Sequence, residues 1–133
     1  MKSDIDIKDD IYDFIKNSSL AQAVTGKICK TGVRPKSSDL EDIVLSVIGN
    51  LNGQLQEAIV NVNVYVEDEI REDGQNQEAT IRLRELCQKA AETLDVGNGK
   101  DFRFVLDSQR VIAIDDAKLH VINNKLVYKQ LNE

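Results

Sequence analysis

Glu57-Ala-Ile-Val-Asn-Val-Asn-Val-Tyr-Val-Glu-Asp68 is the stretch whose reading decides the fold. Val60, Val62, Val64 and Val66 alternate with Asn61, Asn63, Tyr65 and Glu67. Successive side chains of a strand point to opposite faces, so this segment has one apolar and one polar face. An acidic turn follows, and then a pattern that predicts a helix from about Asn76 to Leu94. Its apolar stripe, Ala79, Leu83, Leu86, Cys87, Ala90 and Leu94, must be buried, and the valine face is the place for it. Asn76 is a suitable N-cap, and Gly97 and Gly99 suit the helix end. Glu78 with Arg82, and Glu85 with Lys89, have the i,i+4 spacing of favourable surface pairs.

Working outward toward the N-terminus, Glu41 to Gly49 predicts a second strand with two fairly apolar faces, as in a central position. Asn52-Gly53 is a strong hairpin signal, so this strand should pair antiparallel to the valine strand. Ile11, Phe14 and Ile15 predict a helix from about Asp9, with Asp9 and Asp10 at the positive end of its dipole and residues 1–7 expected to fray. Ser18 or Ser19 can cap a second short helix through Val24, with Gly26 at its end in a conformation needing positive φ. Lys27 to Lys30 predicts a short strand, and the loop to Ser38 carries the sole proline, Pro35. The last third reads as strands: Asp101 to Leu106, Gln109 to Ile114 after a break, and Lys118 to Leu131. Periodicity leaves open whether this last segment is one strand or a hairpin about Asn123-Asn124. The expected fold class is α+β: an antiparallel, sandwich-like sheet packed by one long helix plus a short N-terminal helix.

A chain of 133 residues and 14.9 kDa bounds this to a single domain, 1–133, and 41% apolar residues are enough for one core. No apolar run approaches the roughly 20 residues that cross a bilayer, and the N-terminus lacks a signal-peptide h-region. The expected location is therefore cytoplasmic, with no membrane association. A formal net charge of −6 argues against sequence-specific nucleic-acid binding, which calls for a basic face.

Chemistry-bearing patterns are sparse. His120 is the one histidine, set between Leu119 and Val121, and reads as a half-buried or surface strand residue; the rival reading is a small enzyme using His120 or the acidic turn. Cys29 and Cys87 have no CxxC spacing and read as small buried hydrophobes. No phosphate loop is present, and the acidic turn lacks EF-hand spacing. Neither a catalytic residue, a metal ligand nor a cofactor is expected.

What stands out is a split of charge. Lys27, Lys30, Arg34 and Lys36 carry no acidic residue among them, whereas Glu67, Asp68, Glu69, Glu72 and Asp73 oppose only Arg71. In a head-to-tail ring each subunit presents two different surfaces that complement each other, and opposite charges there steer assembly and fix register. Lys30, Arg34, Lys36, Glu67, Asp68, Glu69, Arg71, Glu72 and Asp73 are therefore the candidate partner-contact residues.

The order of these features resembles a known group. Ile11-Tyr12 and Phe14 lead to Leu20-Ala21, Val24 and Gly26, a strand at Lys27-Ile28, and a loop with Arg34-Pro35. Asp42-Ile-Val-Leu45, Val62-Asn-Val-Tyr-Val66, an acidic turn and the helix from Ala79 to Leu94 follow, then terminal strands. Over most of residues 9–131 this layout resembles the tail-completion or tail-terminator (head–tail joining) proteins of long-tailed bacteriophages and prophages. That resemblance implies a virion structural protein forming a ring, a hexamer, that caps the tail tube, stops its polymerisation and docks to the head-side connector. It implies partners in the ring, the tube and the connector, a place in the bacterial cytoplasm and then the virion, and no catalytic residue. The alternatives are another phage neck protein or a small non-phage protein-interaction domain. An acidic lining suits a conduit through which DNA passes without sticking.

Overall fold

The structure is a computed structural model that describes residues 1–131. Helices α1 (Asp4–Ile15) and α2 (Ser19–Ala23) come first, then a short strand β1 (Ile28–Cys29). Strands β2 (Ile43–Asn52) and β3 (Gln56–Glu67) form the hairpin predicted around Asn52-Gly53. A two-stranded ribbon, β4 (Glu69–Ile70) with β5 (Asn76–Gln77), leads into α3 (Thr80–Leu94). Strands β6 (Val96–Asn98), β7 (Phe102–Ile114) and β8 (Leu119–Gln130) follow.

The main sheet has six strands in the order β1-β2-β3-β8-β7-β6. Every neighbouring pair is antiparallel except β1 with β2, so the sheet is mixed. The helices lie on one face, which completes an α+β sandwich of one sheet and one helical layer.

The valine alternation sets this layering. Val60, Val62, Val64 and Val66 point toward the helices and are buried, whereas Asn61, Asn63, Tyr65 and Glu67 face the other way and are half-exposed. Burying each valine is worth roughly 1.5–3 kcal/mol. Across the ladder, Leu126 and Ile122 of β8 stand beside Val60 and Val64 on the same face, and Tyr128 stands beside Ala58. Leu83, Leu86, Ala90 and Leu94 of α3 and Ile7, Ile11 and Ile15 of α1 close this core from above.

Several element boundaries differ from the pattern reading, each for a local reason. α1 begins at Asp4, because Ser3 and Asp6 form a reciprocal capping box: the Asp6 amide donates to Ser3 Oγ at 3.1 Å and the Ser3 amide to Asp6 at 3.0 Å. Residues 1–7 are thereby tied down rather than frayed: Ile7 is buried, and Lys2 Nζ donates to Asp10 at 2.6 Å and to Asp101 at 2.7 Å. α3 begins at Thr80, because Asn76 and Gln77 pair with Ile70 and Glu69 instead of capping a helix. Ala79 holds the N-cap position without a side-chain bond. Arg82 pairs with Glu41 at 2.6 Å and Glu85 at 3.1 Å, so neither anticipated i,i+4 pair forms.

Gly97 lies in an edge strand rather than at a helix end, and the ring of Phe104 fills the space a Cβ would need. Gly26 is likewise not a left-handed terminus; its Cβ would meet Asp42 Oδ1 and the Glu41 backbone. β8 is one strand, not a hairpin. Asn124 at its middle is buried, donating to the Val62 carbonyl at 3.0 Å and accepting from Gln109 Nε2 at 2.8 Å. β7 is also continuous, with a bulge between Leu106 and Ser108 where the break was expected.

Candidate functional site

The basic loop and the acidic turn project from the same end of the sheet. Ile43 at the start of β2 pairs with Val64 near the end of β3, and the Tyr65 amide donates to the Asp42 carbonyl at 3.0 Å. What happens to the charges at this end differs between the two segments.

The loop engages two of its three candidate charges within the subunit, Arg34 in a largely buried pair and Lys30 in an exposed one. Arg34 Nε donates to Asp42 Oδ2 at 3.1 Å, and Nη2 donates to the carbonyls of Ser38 at 3.2 Å and Leu40 at 2.8 Å. Its guanidinium also lies 4.6 Å over the Tyr65 ring. Asp42 is fully buried and further accepts from Ser38 Oγ at 2.6 Å and the Lys27 amide at 3.1 Å. Burial alone would raise the Asp42 carboxyl, but these donors outweigh it and hold it below the ordinary carboxylate range. Lys30 Nζ pairs with Asp9 at 3.1 Å and sits 4.6 Å over the Tyr12 ring. Lys36 is exposed and has no ion pair among the described residues.

The acidic segment becomes an arm. Gly74, at φ +84°, allows the chain to reverse, and the Arg71 amide donates to the Gln75 carbonyl at 2.7 Å. Arg71 pairs with Asp73 at 3.4 Å within the arm. Glu69 and Glu72 remain exposed without an ion pair among the described residues, and Ile70 beside them is 76% exposed. At the base, Asp68 Oδ1 and His120 Nδ1 are 2.7 Å apart, and the Asp68 amide donates to the Lys118 carbonyl at 3.1 Å. His120 Nε2 is 4.0 Å from Glu78, which leads into α3. His120 is thus half-buried, as expected, and it clamps both legs of the arm. Glu67 is half-buried at the end of β3.

A second charged surface lies on the sheet face turned away from the helices. The register places Arg103 opposite Lys129, Val105 opposite Val127, and Ser108 opposite Lys125, with Arg110 two positions further along β7. None of these four cations has an ion pair among the described residues. Like charges directly opposite one another destabilise a ladder, so Arg103 and Lys129 are an unfavourable pair in the isolated subunit. Glu57 stands beside Lys129 on β3, but it forms no salt bridge there. Arg103, Phe104, Val105, Val127 and Lys129 line a depression of about 290 Å³ with an apolar floor and a cationic rim. Sequence reading missed this surface because Arg103 and Lys129 lie 26 positions apart on different strands; only the ladder register brings them together.

Burial raises the Cys29 and Cys87 thiols above their ordinary range, keeping both protonated and weakly nucleophilic at neutral pH. Among the described residues no group of three His, Cys, Asp or Glu side chains is placed to hold a metal ion. No helix among them is long and apolar enough to cross a membrane.

No protein-family model matches the chain, and no curated protein matches it. Among solved structures, a chain from the virion of a native gene transfer agent (GTA) particle superposes with a TM-score of 0.55. The alignment covers 92% of each chain at 10% sequence identity, so what is shared is the fold.

Proposed function

We propose that this protein is a structural subunit of a phage-like virion, acting as a tail-terminator that assembles into a ring on the end of the tail tube. The observation that carries this reading is a fold shared over 92% of both chains with a component of a gene transfer agent particle. Two further features support it. Free carboxylates on the arm and free cations on the far sheet face give one subunit two different charged surfaces, as a head-to-tail ring requires. The sole histidine is engaged in clamping the arm, and both thiols are held protonated, which suits a structural rather than catalytic role. The ring, a hexamer in this reading, would stop tube growth and present a surface to the head-side connector.

Deleting the gene from its prophage and imaging the particles tests the role. Loss of length control, with tubes of scattered length and no joined heads, is the expected result. Tails of normal uniform length joined to heads would overturn it.

A further inference from the structure

We infer that the acidic arm of one copy docks into the basic-rimmed depression of the next copy, with Ile70 as the inserted side chain. This deepens the ring reading and rests on it. The arm and the depression lie at opposite ends of the sheet: the arm leaves β3 at Glu67, whereas Arg103 and Lys129 stand level with Glu57 at the start of that strand. Two surfaces so placed cannot meet within one subunit, but they meet when copies are stacked head to tail.

The match is chemical as well as positional. Ile70 is a large apolar side chain held 76% exposed on the arm, within reach of a partner surface. The depression offers the apolar floor of Val105 and Val127, and Val105 is 40% exposed. Glu69 and Glu72 flank the isoleucine, and Arg103 and Lys129 rim the depression. Carboxylates arriving between Arg103 and Lys129 would relieve the repulsion of that cross-strand pair, which Glu57 beside Lys129 offsets only in part. The remaining charge on the rim, Glu57, is one carboxylate against two cations, so the depression still favours an anionic visitor. A second copy is the fitting occupant, because the chain itself carries the complementary knob. The His120–Asp68 clamp then has a purpose: it fixes the arm's angle to the body, so that each copy presents Ile70 in one orientation.

The test is sedimentation velocity on the full chain, wild type against two charge-reversed variants. Arg103→Glu/Lys129→Glu and Glu69→Lys/Glu72→Lys should each weaken self-association about tenfold or more, and raised salt should weaken the wild type. Mixing the two variants should restore assembly, since each then meets its complement, and recovery on mixing shows that both are folded. Ile70→Ser, at an exposed position, should weaken association in the same way with its melting temperature unchanged. If the wild type assembles and the variants assemble equally well, the arm contact is overturned while the ring reading stands. If the wild type remains monomeric at every concentration and sediments alone with tail tubes, both fall together.

Discussion

The basic loop at residues 30–36 and the acidic arm at residues 67–73 look equivalent as charge runs, but the fold treats them oppositely. Arg34 is consumed by a buried carboxylate and two backbone carbonyls, and Lys30 by Asp9 and the Tyr12 ring. Glu69 and Glu72 are exposed, without an ion pair among the described residues, on a ribbon held at its base by His120 and Asp68. The difference teaches that a charge run marks a contact without saying whether that contact is internal. Arg34 holds the loop against the end of the sheet, whereas Glu69 and Glu72 of the arm remain without an ion pair among the described residues. On the inference above, the cations that complement the arm are those of β7 and β8.

The largest effect should come from breaking the internal side. Asp42→Ala strips the acceptor from Arg34, Ser38 and the Lys27 amide at a fully buried site. Removing one partner of a buried pair costs about 3–5 kcal/mol, and urea denaturation should show a loss of that order. A loss below about 1 kcal/mol would mean that the Asp42 network is not what holds the loop. Arg34→Glu would set a second carboxylate against Asp42, so any loss of assembly in that variant should follow from loss of the fold.

A smaller effect is expected from Arg34→Lys, which keeps the charge and loses the fork that reaches two carbonyls; about 1–2 kcal/mol should be lost in the same measurement. The pH response sharpens the same point. Asp42 has its carboxyl lowered in the folded state, so its contribution is complete above the unfolded carboxylate pKa of about 3.9 and disappears as pH falls through the lower folded value. Acid titration of stability should therefore be steep below about pH 4 in the wild type and shallower in Asp42→Asn. Equal slopes would contradict the network.

The smallest effect on stability belongs to the arm. Glu69→Lys/Glu72→Lys should change the unfolding free energy by no more than about 0.5 kcal/mol, as exposed substitutions do, while changing assembly strongly. A large stability loss there would place the arm's charges inside the fold, like those of the loop.

How much of this was legible in the sequence follows from which interactions are local. The valine alternation, the Asn52-Gly53 hairpin and the α3 stripe are periodic within a few residues, and the layering follows from them. The start of α3 is obscured in the sequence because the cap signal at Asn76 competes with a hairpin across Gly74 that pairs Ile70 with Asn76. The start of α1 was locally visible in Ser3 and Asp6, but Asp9 and Asp10 gave the stronger acidic signal. The Asn124 pin also defeats local reading: an asparagine pair looks like a turn until Val62 and Gln109 are known to satisfy it. The candidate site was half legible. The arm lies in one segment, whereas the Arg103–Lys129 rim exists only once β7 and β8 are in register.

Native mass spectrometry of the purified wild-type chain tests the central claim of head-to-tail closure most directly. The expected result is one closed species at a fixed multiple of the subunit, six in this reading, that dissociates as salt rises. A discrete dimer, or a monomer at all concentrations in the presence of tail tubes, would contradict it.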